Sequence, residues 1–308
     1  MEDVDVSPDV YIGKIPCNNF IELNFYFDKV IWYDEHNMMS NKIILVGGDT
    51  FPDDFEEINE GEYANLQVLE KLPGYTGRKL WASQWMVSKF NIANNFMACP
   101  DFIDLSGHGS YKSWATHPTE SADIWVPTNT FQSEDDGWVY ADFDLYNIKN
   151  SRKYPIVFSN ACSNNKYHKF ENCLSWKTIR HPNGGGVIAF GASGIASAMW
   201  GTGITERLFG WMEQHCFDEL YKTKNLGQVW SNCVNGYYNT FEGSLSKKDY
   251  KTMLEFSMFG DPTLNAQDGD DPKIRSDRNQ FYNIIYHIMF RFPILANIFY
   301  ITFLAKVK

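Results

Sequence analysis

Six cysteines in 308 residues stand far apart, at positions 17, 99, 162, 173, 216 and 233, with no Cys-x-x-Cys or Cys-x-x-His spacing. That pattern excludes a structural zinc knuckle, whose tetrahedral ligand set needs such close pairs. A dense disulfide scaffold is not required at this length either. Cys17, Cys99, Cys173, Cys216 and Cys233 read as small buried hydrophobes, with one or two disulfides left open. Basic residues are also short, with 27 Lys and Arg against 38 Asp and Glu and a formal net charge of −11. No basic patch is available to neutralise phosphates, so nucleic acid is excluded as a partner. An acidic surface suits a cationic partner or simply maintains solubility.

Other absences narrow the field further. The opening Met-Glu-Asp-Val-Asp-Val-Ser-Pro is acidic and has no apolar core, so it is no signal peptide. A strand-like run, Asp9–Gly13, begins within a few residues of the start. The expectation is therefore a fragment that lacks an upstream part, an export signal included. No internal repeat is visible. Gly184-Gly-Gly lacks the following Lys-Ser/Thr of a phosphate-binding loop and is read as easing the start of a strand. Gly191-Ala-Ser193-Gly194-Ile does not satisfy the Gly-x-Ser-x-Gly elbow, which sets aside a serine hydrolase. No EF-hand-like acidic loop is present.

What is present alternates between strand and helix. Lys42–Val46 is a continuous β-branched run ending in Gly47-Gly48-Asp49, as a buried parallel strand opening into a loop would be. Further strand-like runs lie at 101–105, 154–158 and 184–193. Helical spacing covers Phe20–Tyr33, a stretch ending at Leu72 before Pro73-Gly74, and 83–98, near 170–180, 204–222 and 226–240. Strands separated by helices predict an α/β fold with a mostly parallel sheet. Residues 111–150 are polar, aromatic and irregular, and read as a long excursion over one sheet edge. Residues 281–305 are mostly apolar and the tail ends in Lys306 and Lys308. About 20 such residues can span a bilayer, but His287, Arg291 and Pro293 interrupt them, and a charge there costs about 2.5–3.5 kcal/mol. The tail reads either as a membrane anchor or as two amphipathic helices hinged at Pro293.

Two short motifs carry chemistry: Leu-Ser-Gly-His-Gly-Ser at 105–110 and Ser-Asn-Ala-Cys-Ser-Asn at 159–164. Each follows an apolar run. If those runs are neighbouring parallel strands, His108 and Cys162 emerge at the carboxyl edge where α/β sheets place their ligands. A thiol attacks a carbonyl as thiolate, and the departing amine needs a proton, so this pair suits nucleophilic catalysis. Gly109 offers an unobstructed N–H beside the histidine, and the Cys162 N–H is the natural second donor to an oxyanion.

Leu105–Trp114, Tyr154–Cys162, Met258–Leu264 and the opening Pro8–Pro16 together resemble the gingipain family of cysteine peptidases, over roughly residues 8–265 and in the family's order. The resemblance implies an α/β, caspase-like three-layer sandwich with a mostly parallel central sheet flanked by helices. It also implies a remnant of a smaller amino-terminal subdomain at 1–40, a catalytic domain at 41–265, a polar linker at 266–280 and the apolar tail at 281–308. By the same resemblance His108 matches the catalytic histidine and Cys162 the nucleophile, Gly109 and Cys162 supply the oxyanion N–H groups, and Asp49 orients the imidazole. Trp200 matches an aromatic wall of the substrate pocket. Well-known members cleave after Arg or Lys by means of an acid in the loop before the first long helix. Asp53, Asp54, Glu56, Glu57, Glu60 and Glu62 stand there; Glu60 and Glu62 are the candidates carried forward, with Ser106 and Asn160 as further substrate contacts.

The expected partner is a peptide or protein substrate, acted on by a monomer at the cell surface or outside it, with membrane association through the tail as an option. No cofactor is expected. Calcium, which some members bind, would need oxygen ligands gathered from distant loops. The competing expectation is a catalytically silent homologue acting as a surface-attached binding or scaffold protein.

Overall fold

The computed structural model describes residues 5–17, 19–127, 148–150, 152–167, 173–182, 184–266, 272–291 and 301–306. β1 (Val10–Ile15) is followed by α1 (Phe20–His36), β2 (Lys42–Gly47), α2 (Glu60–Glu70) and β3 (Thr76–Trp81). Then come α3 (Lys89–Phe96), β4 (Phe102–Ser106), a two-residue hairpin of β5 (His108–Gly109) and β6 (Trp114–Ala115), and β7 (Ile156–Asn160). The remainder is α4 (Leu174–Arg180), β8 (Ile188–Ala192), α5 (Leu208–Lys222), α6 (Leu226–Phe241), α7 (Lys247–Glu255), β9 (Phe256–Phe259), α8 (Pro272–Arg291) and β10 (Ile301–Lys306).

The main sheet has eight strands in the order β10-β1-β9-β8-β7-β4-β2-β3. β3, β2, β4, β7 and β8 run parallel, whereas β9 is antiparallel to β8. The pleat sends successive residues to opposite faces, and this sheet has a core on both. Ile43, Leu45, Phe102, Ile156 and Phe158 belong to the larger cluster, with Phe209 and Phe217 of α5. Ile44, Val46, Ile103, Leu105 and Val157 belong to the smaller one, with Phe96 of α3 and Trp114. Burial on both faces is why these strands read as unbroken apolar runs.

Several expectations are revised. β3, Thr-Gly-Arg-Lys-Leu-Trp, is an edge strand with mostly exposed or half-buried residues, and so lacks the apolar signal of its neighbours. The helix expected over 83–98 is shorter, because a 3₁₀ turn at Ala82–Gln84 precedes α3, whose Ser88 hydroxyl caps Asn91 N–H. Residues 128–147 of the expected excursion lie outside the described residues. The stretch expected as a polar linker at 266–280 is helical from Pro272, and α8 continues to Arg291. Buried Arg278 sits 3.4 Å from both Asp34 and Asp261, and buried Tyr282 stacks on Phe27 at 4.0 Å and bonds Asp261. β10 then pairs antiparallel with β1 along the sheet edge. Among the described residues no helix is long and apolar enough to cross a membrane.

Candidate active site

The register of the central strands places the two motifs side by side. Ser106 at the end of β4 pairs with Asn160 at the end of β7. His108 and Cys162 each follow two residues later, so both leave the same sheet edge at matching offsets. Gly109 packs directly on the cysteine segment: a Cβ there would overlap the Cys162 carbonyl oxygen and crowd Ala161 and Asn164. Asn164 fastens the two loops, accepting from Ser159 Oγ at 2.6 Å and donating to the Ser113 carbonyl at 2.9 Å. Immediately after Cys162 the chain reverses through Ser163 at φ 58°, whose N–H binds the Gly194 carbonyl at 2.7 Å.

His108 lies 2.7 Å through Nε2 from the Thr50 carbonyl. A carbonyl only accepts, so Nε2 carries the hydrogen and the lone pair of the neutral ring sits on Nδ1. Burial pushes the imidazole below its ordinary 6.5; the Thr50 bond opposes this shift and the neighbouring His117 adds to it. Cys162 is half-buried, with Sγ 3.6 Å from the Ala196 carbonyl. Burial pushes its thiol above the ordinary 9.0. Both groups are therefore held toward their neutral forms, thiol and imidazole. Among the described residues the Cys162 N–H donates to no protein acceptor.

A cavity of about 590 Å³ opens on the imidazole side, lined by Thr50, Phe51, Asp53, Asp54, Glu56, His108 and Trp200, among others. Cys162 does not line it. Trp200, 68 % exposed, meets Phe51 edge-on and forms an outer wall. Glu60 lies behind the wall and is wholly buried, with Oε2 accepting from Thr50 N–H at 3.0 Å and Phe51 N–H at 3.2 Å, and Oε1 from Gly201 N–H at 3.2 Å. Burial pushes its carboxyl up to about 7, with the neighbouring Asp54 side chain adding to the shift. Asp54 Oδ2 is buried and has no donor other than the Glu60 carboxyl.

The other candidates fall elsewhere. Both carboxylate oxygens of Asp49 accept backbone N–H groups, from Phe51 at 3.1 Å and Glu120 at 2.9 Å. The expected carboxylate contact to the imidazole is thus replaced by the carbonyl of the next residue. Glu62, two residues beyond Glu60, faces another side of α2 and spends its oxygens on Ser83 N–H at 2.8 Å and Ser83 Oγ at 2.7 Å. Ser106 and Asn160 are buried beneath the edge and bonded to each other at 3.3 Å, so neither reaches the cavity.

Comparison with known proteins agrees with this geometry. The model of peptidase family C25 matches residues 1–267. The chain belongs to peptidase family C25. Its fold resembles the crystal structure of the Arg-specific cysteine proteinase gingipain R, with a TM-score of 0.63 at 17 % identity over 86 % of this chain and 57 % of that one. The complex of Porphyromonas gingivalis RgpB pro- and mature domains gives a TM-score of 0.59 at 18 % identity over 85 % and 58 %. This family C25 chain therefore spans little more than half the length of either relative. No match was found among curated protein sequences. The mostly parallel, helix-flanked sheet is the gingipain-type caspase-like fold that the motifs imply.

For this family C25 chain, Thr50, His117, Trp125 and Asn164 are the site residues that reading the sequence passed over. Asn164 closes the cysteine motif itself. His117 and Trp125, with ring centroids 3.8 Å apart, sit in the irregular stretch after His108 and bear no fixed spacing to it. Among the described residues one group of acidic and imidazole side chains stands close together, His215, Asp218 and Glu219, and its imidazole does not suit calcium, a cation that takes oxygens. Lys222 already pairs with its Asp218, and Thr223 and Asn232 bond its Glu219.

Proposed function

We propose that this chain is a cysteine endopeptidase that cleaves after basic residues, with Cys162 as nucleophile and His108 as general base and acid. Nδ1 of His108 takes the Sγ proton as the sulfur attacks the scissile carbonyl carbon, and the N–H groups of Cys162 and Gly109 hold the oxyanion. The imidazolium then gives its proton to the departing amine, leaving a thioester. Water, deprotonated by the same ring, hydrolyses that thioester and frees the thiol. Neutral resting groups fit this order, because the proton moves only when substrate has excluded water.

The observation that carries the reading is the matched two-residue offset of His108 and Cys162 from the Ser106–Asn160 register pair. A basic preference is supported by Asp53, Asp54 and Glu56 on the cavity wall. Asp54, whose Oδ2 has no donor other than the Glu60 carboxyl, can accept a lysine ammonium or arginine guanidinium. Action at the cell surface or outside the cell accompanies this reading, by resemblance to exported peptidases.

A combinatorial fluorogenic peptide library, assayed with purified wild type and Cys162→Ala, tests it. The expected result is cleavage after Arg or Lys by wild type and none by a folded C162A. Turnover by C162A near the wild-type level overturns the assignment. A peptide electrophile that labels Cys162 in wild type and not in His108→Ala separates the enzyme from a silent scaffold.

A further inference from the structure

Beneath the ends of β4 and β7 lies an acid pair that the chemistry above leaves unused. Asp104 of β4 and Glu213 of α5 are both wholly buried and hydrogen-bond each other. Asp104 Oδ2 accepts from Asn65 Nδ2 at 2.8 Å, and Glu213 Oε2 from Gln214 Nε2 at 3.3 Å. Asp104 Oδ1 and Glu213 Oε1 are buried and have no other donor. Among the described residues no ion pair reaches either carboxyl. Two carboxylates so placed in an apolar interior cannot both be charged, whereas one proton between them gives each oxygen a partner.

The pleat explains what the pair holds. Phe102, Asp104 and Ser106 alternate onto the α5 face of β4, as Ile156, Phe158 and Asn160 do on β7. Both terminal side chains, Ser106 and Asn160, lie near the Glu213 carboxyl and favour its charged form. They are the residues from which His108 and Cys162 are each offset by two.

We propose that Asp104 and Glu213 share one proton and act as a positioning pair, Glu213 gathering Ser106 and Asn160 so that the imidazole and thiol leave the sheet at fixed relative positions. This rests on the peptidase reading of Cys162 and His108. The groups facing the pair are Asn65 of α2, Ser106, Asn160, and Gln214 and Cys216 of α5, the Cys216 thiol itself being pushed well up by burial. Burial raises both carboxyls, so the shared proton leaves only as pH climbs through those raised values. Charge then accumulates under the strand ends, and the pair's contribution to activity is present at lower pH and lost on the alkaline side.

The test uses the whole purified chain. Glu213→Ala is expected to lower kcat on the order of 10²-fold, as for a misplaced reacting pair, with KM within about twofold by the same argument. Glu213→Gln, which keeps the shape and supplies the hydrogen, is expected to restore kcat and to move the alkaline limb of the pH–kcat profile upward by about one unit or more. In a wild type minus Asp104→Asn/Glu213→Gln infrared difference spectrum at neutral pH, a band of a protonated buried carboxyl is expected, the Glu60 carboxyl being common to both and cancelling. Loss of that band from wild type, or unchanged kcat in a folded E213A, overturns the proposal. If E213A does not fold, an E213Q alkaline limb superimposed on that of wild type overturns it instead. A wild-type chain that cleaves no peptide defeats the peptidase reading and the positioning role with it, while the infrared band still decides whether the proton is shared.

Discussion

The Thr50 carbonyl accepts the Nε2–H of His108 at 2.7 Å, so the imidazole is oriented by main chain one residue beyond Asp49. Nδ1 acts as a base only while unprotonated, and burial holds the ring below its ordinary 6.5. With a neutral peptide, whose KM does not follow Glu60, kcat/KM is therefore expected to persist as pH falls through 6.5 and to be lost below it. A pH profile of kcat/KM checks this; an acid limb at or above that value contradicts it.

Cys162 is expected to distinguish between reagents. Burial raises its thiol above 9.0, so a small neutral alkylator should react slowly at neutral pH and faster as the solution becomes strongly alkaline. A peptide electrophile should react near neutrality, because His108 takes the proton in the bound complex. Replacing His108 by Ala is expected to slow only the second reaction, by about 10²-fold or more. Rates of Cys162 labelling, read by mass spectrometry, decide.

Asp54→Asn is expected to lower kcat/KM for Arg- and Lys-containing peptides by about tenfold or more relative to neutral ones, since a charge-assisted bond is lost. Burial pushes the Glu60 carboxyl up to about 7. A substrate cation favours its ionised form, so KM for basic peptides should fall as pH rises through about 7 while KM for neutral peptides stays flat. Equal effects on both peptide classes would remove Asp54 and Glu60 from specificity.

Lys29, on α1, is buried and donates to the carbonyls of Ile179 at 2.7 Å, Gly184 at 2.7 Å and Gly186 at 3.1 Å. Lys29→Met should cost about 2–5 kcal/mol in urea unfolding, because three buried acceptors lose their donor. The activity of the folded fraction should be unchanged. A loss under about 1 kcal/mol would mean that water replaces the ammonium.

His108 and Cys162 were legible because each ends an apolar run and is flanked by small residues, which is a side-chain pattern. Thr50 was not, since a carbonyl oxygen has no signature in sequence. Ser106 and Asn160 adjoin the motifs and drew attention for that reason, yet the period of two along a strand turns them inward. Glu213 sits in an ordinary amphipathic helix, and only the sheet register reveals what it meets. Gly184-Gly-Gly was read as easing a strand start; packing adds that two of its carbonyls gather on Lys29. The tail was read from its apolar length, but whether such a run forms a helix, an anchor or a strand depends on a partner nearly 300 positions away, β1.

β10 lies antiparallel to β1, β1 parallel to β9, and β9 antiparallel to β8, so β10 points the same way as β7. Lys306, paired with Val10, therefore finishes on the rim that bears the cavity, four strand spacings from β7, about 19 Å at ~4.8 Å each. A fluorophore or tether joined beyond that strand would stand on the same rim as the cleft, five strand spacings or about 24 Å from β4, which carries His108, within reach of a docked macromolecule.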